Sequence, residues 1–221
     1  MTRPSHPMIW FDFGGVLSPP LENLYRSYEE RTGIAPRRLK AAVAAVAADL
    51  GVEPLAPIEL ALVTEAEWGR AVVRALEAAE PGIDLSRAGF DHFGKQWFEG
   101  VEANPVMVAT ARHAKENGYR VGILSNNVAE WEPYWRAMIA PVGEVDCIVD
   151  SCRVGVRKPD PEIFRLAEQA AGAEPFDCVL VDDLPENCDS ARRAGWRAVH
   201  FRNNAQAVRD LAGLTGLPAL V

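Results

Sequence analysis

Four short runs of nearly unbroken apolar residues in the second half of the chain leave few folds open to it. They are Arg120–Ser125 (RVGILS), Val145–Ser151 (VDCIVDS), Asp177–Asp183 (DCVLVDD) and Arg197–Phe201 (RAVHF). Helical patterns at Val106–Asn117, Pro161–Ala171 and Pro185–Ala194 separate them, and Gly118 and Gly195 stand where helices stop. Strands that are apolar throughout, rather than on alternate residues, are covered on both faces. Joined by helices, they specify a parallel sheet with helices on each side. Met8–Phe13 (MIWFDF) reads as a fifth strand of that sheet.

Between this first strand and residue 105 the pattern changes. Residues 19–100 contain no convincing strand but four helical stretches: Leu21–Arg31, Arg37–Leu50, Ala66–Ala79 and Ser86–Phe98. Gly33, Pro54, Pro57, Pro81 and Gly82 punctuate them. With 221 residues and 48% apolar content, the chain can bury one core and carry a modest insertion. The expected fold class is therefore α/β. A doubly wound parallel-sheet core takes residues 1–18 and 101–221, and a helical domain over 19–100 is inserted after the first strand.

A net charge of −8 argues against a nucleic-acid partner, which needs a basic patch. No apolar stretch approaches the ~18 residues of a membrane span, and MTRPSHPMIW lacks the apolar centre of a secretory signal. Cys147, Cys152, Cys178 and Cys188 show neither Cys-x-x-Cys spacing nor histidine partners. The expectation is a cytoplasmic protein with reduced cysteines, monomeric or a homodimer, acting on a small molecule.

Ligands of an open parallel sheet bind beyond the carboxyl ends of its strands. Asp12 follows the first strand, Ser125 and Asn126 the second, a loop with Lys158 the third, and Asp182–Asp183 the fourth. Each has an ordinary explanation as a helix cap or turn residue. Together they place carboxylates, a hydroxyl, an amide and an ammonium on one edge. Crowded carboxylates call for a divalent cation, and oxygen donors suit Mg²⁺. Lysine neutralises phosphate oxygens, serine and asparagine donate to them, and Asp12 is placed to attack phosphorus. That is the chemistry of phosphoryl transfer.

The motifs FDFGGVLS, ILSNN, VGVRKPDPEIF and VLVDDLPENCDSARRAGW, in that order, resemble the haloacid dehalogenase (HAD) superfamily. They are most similar to its branch containing the phosphatase domain of soluble epoxide hydrolase and bacterial sugar-phosphate phosphatases. The likeness covers about residues 8–18 and 101–201, and the helices between take the place of a C1-type cap on a Rossmann-like core. The resemblance implies a Mg²⁺-dependent phosphatase for a small phosphorylated metabolite, with Asp12 as nucleophile and metal ligand. It implies that Ser125, Asn126 and Lys158 hold the phosphoryl group. Asp183 would bind the metal directly, Asp182 through water and Gly14 through its carbonyl, with Asn187 supporting the pair.

Phosphatases of this family usually carry, two residues after the nucleophile, a second aspartate that serves as general acid and base. Here that residue is Gly14. The carbonyl survives the change and the proton donor does not, although some family phosphatases also have glycine there. A metal-independent haloacid dehalogenase, or a non-catalytic phosphate- or partner-binding protein, is the alternative. Retention of Asp182–Asp183 weighs against the dehalogenase, and retention of Asp12, Lys158 and Asp183 against the non-catalytic protein. From position, Glu22 and Asp160 are candidate replacement donors. Trp68, Trp97, Trp131 and Trp135 are expected chiefly in the core, His92 and His113 at the surface, and Gly94 and Gly100 as hinges.

Overall fold

The computed structural model describes residues 7–218; residues 1–6 and 219–221, including the proline-broken start of the chain, lie outside it. Five parallel strands form one sheet in the order β3-β2-β1-β4-β5. They are β1 Met8–Phe11, β2 Arg120–Ser125, β3 Cys147–Asp150, β4 Cys178–Asp182 and β5 Arg197–His200. In register, Ile9 of the central strand faces Val121 of β2 on one side and Val179 of β4 on the other. The chain winds outward from β1 to β3, then resumes with β4 on the opposite side. The switch in direction therefore falls between β1 and β4, which opens a crevice there.

Every residue of β1 is fully buried, as its unbroken apolar sequence requires. Alternation along the strand divides it between two clusters: Ile9 and Phe11 join one, Met8 and Trp10 the other. Trp10 fits because its partner on β2 is Gly122, where a Cβ would stand 2.5 Å from the indole ring.

Between β1 and β2 come α1 Leu21–Thr32, α2 Pro36–Asp49, α3 Ala56–Glu59, α4 Glu65–Ala79, α5 Phe93–Trp97 and α6 Pro105–Glu116. After β2 come α7 Glu132–Ile139, α8 Ser151–Val154, α9 Pro161–Ala171, α10 Pro185–Arg193 and α11 Asn204–Thr215. Among the described residues, no strand occurs over 19–100. Thr64 and Glu67 close a reciprocal capping box that starts α4. The helix then buries Trp68, Val72 and Leu76 in the cluster that also holds Tyr28 and Leu39.

One local expectation is corrected. Ser86–Phe98 is not one helix: a single turn, Phe90–His92, precedes α5. The Phe90 carbonyl presses onto Gly69 of α4, where a Cβ would meet it at 2.0 Å, so packing overrides the helical pattern. Pro57 does not merely punctuate; it lies in the first turn of α3, where proline is tolerated. Gly94 is buried against Trp131, with a Cβ position 2.2 Å from the indole Cδ1, so close packing requires its smallness.

Candidate active site

A cavity of 210 Å³ opens in the crevice beyond β1 and β4. Asp12, Gly14, Asn126, Lys158 and Asp183 line it from the sheet edge, and Leu24, Leu55, Glu59, Trp97 and Phe98 from the helices that follow β1. A larger groove of 720 Å³ lies between α6 and α7, but none of the strand-end residues reaches it.

Asp12 leaves β1 with an amide that still donates to Val181 O at 2.9 Å, so the ladder to β4 sets its position. Its Oδ1 accepts from the Phe13 amide at 2.7 Å and lies 3.0 Å from Lys158 Nζ. Oδ2 is left facing Gly14, 4.0 Å from where a Cβ on that residue would stand. Burial pushes the Asp12 carboxyl up to about 7; Lys158 pulls against this, and Asp182 and Asp183 push further.

Lys158 is almost wholly buried and bridges the strand ends. Its ammonium donates to Asp182 Oδ2 at 2.6 Å and to Leu124 O at 2.8 Å, besides pairing with Asp12. Burial opposes the charge, but Asp12 and Asp182 outweigh it and hold the lysine above its ordinary range. Asn126 fixes the loop that carries it: Nδ2 donates to Lys158 O at 2.9 Å, and Oδ1 accepts from Lys158 N at 2.7 Å. The amide thus clasps the main chain of the very residue it was expected to work beside.

The two aspartates after β4 face different surroundings. Asp182 is fully buried, with Oδ1 taking 2.9 Å bonds from Leu184 N and Asn187 Nδ2 and Oδ2 taking Lys158. Asp183 lines the cavity, and burial, reinforced by Asp182, pushes its carboxyl up to about 6 against the pull of Lys158. Gly15, at φ +69°, lets the chain pass directly over that carboxylate; a Cβ there would lie 2.2 Å from Oδ2.

Oxygens of Asp12, Asp182 and Asp183 all lie within 4.8 Å of one another. One ammonium among three carboxylates leaves the cluster short of positive charge. An all-oxygen donor set of this kind fits a divalent cation such as Mg²⁺.

Asp12, Asn126, Lys158 and Asp183 meet at the cavity as the spacing suggests, whereas Ser125 and Asp182 are buried and do not line it. Asp160 instead caps α9, its carboxylate accepting from Glu162 N at 2.9 Å, and Glu22 is exposed in the first turn of α1; neither lines the cavity. Trp68 and Trp135 are core residues, while Trp97 and Trp131 line the cavity. His92 is exposed and His113 is half-buried. Sequence reasoning passes over Glu59 and Arg157, an ion pair 2.8 Å apart at the cavity wall. The one available signal is a lone acid within the apolar PIELAL.

A family model described as haloacid dehalogenase-like hydrolase matches residues 8–195. The phosphatase MT3486 of Mycobacterium tuberculosis is 31% identical over 154 residues, 67% of this chain and 68% of that protein. Bifunctional epoxide hydrolase 2 of Sus scrofa is 31% identical over 121 residues, 53% of this chain and only 22% of its own length. Solved structures share the fold at low identity. The HAD family enzyme bt-2542 of Bacteroides thetaiotaomicron, in complex with magnesium and inorganic phosphate, matches with TM-score 0.63 and 17% identity over 89% of this chain and 94% of that one. An L-2-haloacid dehalogenase of Xanthobacter autotrophicus matches with TM-score 0.63 and 13% identity over 97% and 85%. Among the described residues, no helix is long and apolar enough to cross a membrane. With the family model matching residues 8–195, this chain belongs to the haloacid dehalogenase-like hydrolase family.

Proposed function

We propose that the chain is a Mg²⁺-dependent phosphatase that hydrolyses a small phosphorylated metabolite through an aspartyl phosphate on Asp12. The observation that carries this reading is the convergence of Asp12, Lys158 and Asp183, from three separate segments, on one small cavity. Asp12 Oδ1 is held by Phe13 N and Lys158, which orients Oδ2 towards the cavity for attack on phosphorus. Lys158 neutralises phosphoryl oxygens as a fixed charge, and Asn126 lines the site from the end of β2 while its side chain holds the Lys158 loop in place, with Ser125 buried behind it. Asp12, the Gly14 carbonyl and Asp183 would hold Mg²⁺, with Asp182 behind them, orienting Lys158 and reaching the metal through water. When bound, the ion neutralises charge on the phosphoryl group and polarises it. Residues 19–100 act as a cap whose apolar wall excludes water from the site. A cavity of 210 Å³ limits the substrate to a small ester.

The test is phosphate release from sugar, acyl, nucleotide, alkyl and aryl phosphates, with Mg²⁺ or EDTA, by wild type and Asp12→Asn. Release that needs Mg²⁺ and disappears in Asp12→Asn supports the reading. The absence of an acid at Gly14 favours one second reading, a dehalogenase, which predicts chloride release from 2-haloacids and no phosphate release. A chain silent on both substrate sets is a binding protein.

A further inference from the structure

Expelling an alcohol from a phosphate ester requires a proton on the departing oxygen, and Gly14 has none to give. The ionisable residues lining the cavity are Asp12, Glu59, Arg157, Lys158 and Asp183. In the proposed reaction Asp12 is the nucleophile and Asp183 faces the metal, while Arg157 and Lys158 keep their charge at neutral pH. We infer that Glu59, reaching the cavity from α3, is the proton donor to the leaving group and the base that activates water in the second step. This inference rests on the phosphatase reading and supplies the group which that reading lacks.

The geometry suits a poised acid. The α3 main chain is tied to the core beside the site: Ser151 Oγ, just after β3, donates to Glu59 O at 2.6 Å. Glu59 is 8% exposed, and its Oε2, although 2.8 Å from Arg157 Nη2, makes no aligned hydrogen bond. Arg157 is shared, since Nη1 donates to Glu53 Oε2 at 2.7 Å. Burial pushes the Glu59 carboxyl up to about 7; Arg157 and Lys158 pull it down, and Asp12 and Asp150 push it up. A carboxyl half-protonated near neutrality can both give and take a proton there, which suits general acid–base work.

The steps balance. As Asp12 Oδ2 bonds to phosphorus, the bond from phosphorus to the ester oxygen breaks and that oxygen takes the Glu59 proton, leaving as an alcohol. Glu59, now a carboxylate, removes a proton from the water that attacks the aspartyl phosphate. The bond from phosphorus to Asp12 breaks, inorganic phosphate leaves, and both carboxyl groups are restored. A cap-borne donor would be present only with the helices in place over the site, which couples the chemistry to substrate enclosure.

The experiment compares wild type with Glu59→Gln on p-nitrophenyl phosphate and on the fastest alkyl phosphate found in the panel, with Mg²⁺ present. A nitrophenolate leaves without a proton; an alkoxide does not. Glu59→Gln should lower alkyl phosphate turnover by ~10²–10⁴-fold. On the aryl ester it should release a rapid burst of one nitrophenolate per enzyme and then turn over slowly, as the aspartyl phosphate accumulates. Equal losses on both esters with no burst would mark Glu59 as a merely structural partner of Arg157 and overturn the inference. So would full activity of the variant. Should Glu59→Gln fail to fold, wild type decides: kcat for the alkyl ester should fall as pH rises through about 7 while the aryl burst rate does not. Parallel profiles refute the donor role. A wild type that hydrolyses neither ester refutes the phosphatase reading itself, an outcome distinct from either of these.

Discussion

Gly15 and Gly14 are neighbours with opposite demands, and alanine at each separates them. Gly15 has φ +69° and ψ −10°, and a Cβ there would stand 2.2 Å from Asp183 Oδ2. Holding an L-residue in the left-handed region costs ~1–2 kcal/mol. Turning the Asp183 side chain off its rotamer to clear the methyl adds ~0.5–1.5 kcal/mol. The sum is ~1.5–3.5 kcal/mol, and for a chain of this size each kcal/mol lowers Tm by ~2–4 °C, so Gly15→Ala should melt ~3–14 °C below wild type. Gly14 instead has φ −63° and ψ 126°, with only Asp12 Oδ2 near a Cβ, at 4.0 Å. Alanine fits there without strain and restricts the unfolded chain, which stabilises by ~0.4–1 kcal/mol. Thermal unfolding by circular dichroism in EDTA reads both effects. Under the proposed phosphatase reading, Mg²⁺ titration of phosphate release reads a third: displacing Asp183 should weaken apparent Mg²⁺ affinity by ~10–100-fold in Gly15→Ala. Equal melting temperatures for the two variants would refute the contact between Gly15 and Asp183 on which the reasoning depends.

Two further outcomes follow from the buried charges. Lys158→Met leaves Asp12 and Asp182 without their shared cation, a loss of ~3–5 kcal/mol when one partner of a buried pair is removed. Its Tm in EDTA should fall by ~6–20 °C at neutral pH and recover part of that at pH 5, where the Asp12 carboxyl, raised by burial, takes a proton; an unchanged Tm sinks the account. The carboxyls of Asp12, Asp183 and Glu59 are all raised in the folded chain, to about 7, 6 and 7, from unfolded values near 4. Through that window the folded metal-free chain holds more protons than the unfolded one, so these groups make it lose stability as pH rises from about 4 to 7. Tm measured against pH in EDTA should therefore fall less steeply for Asp12→Asn than for wild type, and identical slopes would count against the shift.

Much of this architecture is written locally. A parallel strand covered on both faces must be apolar along its whole length, so RVGILS and DCVLVDD declare themselves without reference to the rest of the chain. β2 and α9 fall at their expected bounds and the other expected ends move by a residue or two, apart from the start of α5, whereas α3, α7 and α8 were not expected. Parallel strands share one carboxyl edge, so Asp12, Asn126, Lys158 and Asp183 could be assembled from strand ends alone. The broken segment before α5 was not legible, because its conformation answers to Gly69 on another helix.

The sequence by itself determined the fold class and the edge where chemistry collects, because these depend on residue type and position along one segment, and its resemblance to the family marked Gly14 as the place where an aspartate is usual. Tertiary structure alone decided how each group behaves. Ser125 and Asp182 stand behind the cavity and Asp183 in it, and Asn126 is spent on clasping the Lys158 loop. Glu59 becomes a titratable acid of the site only because α3 buries it beside Arg157 and the strand ends. Burial and charge pairing are properties of neighbours brought from far along the chain, and no local pattern records them.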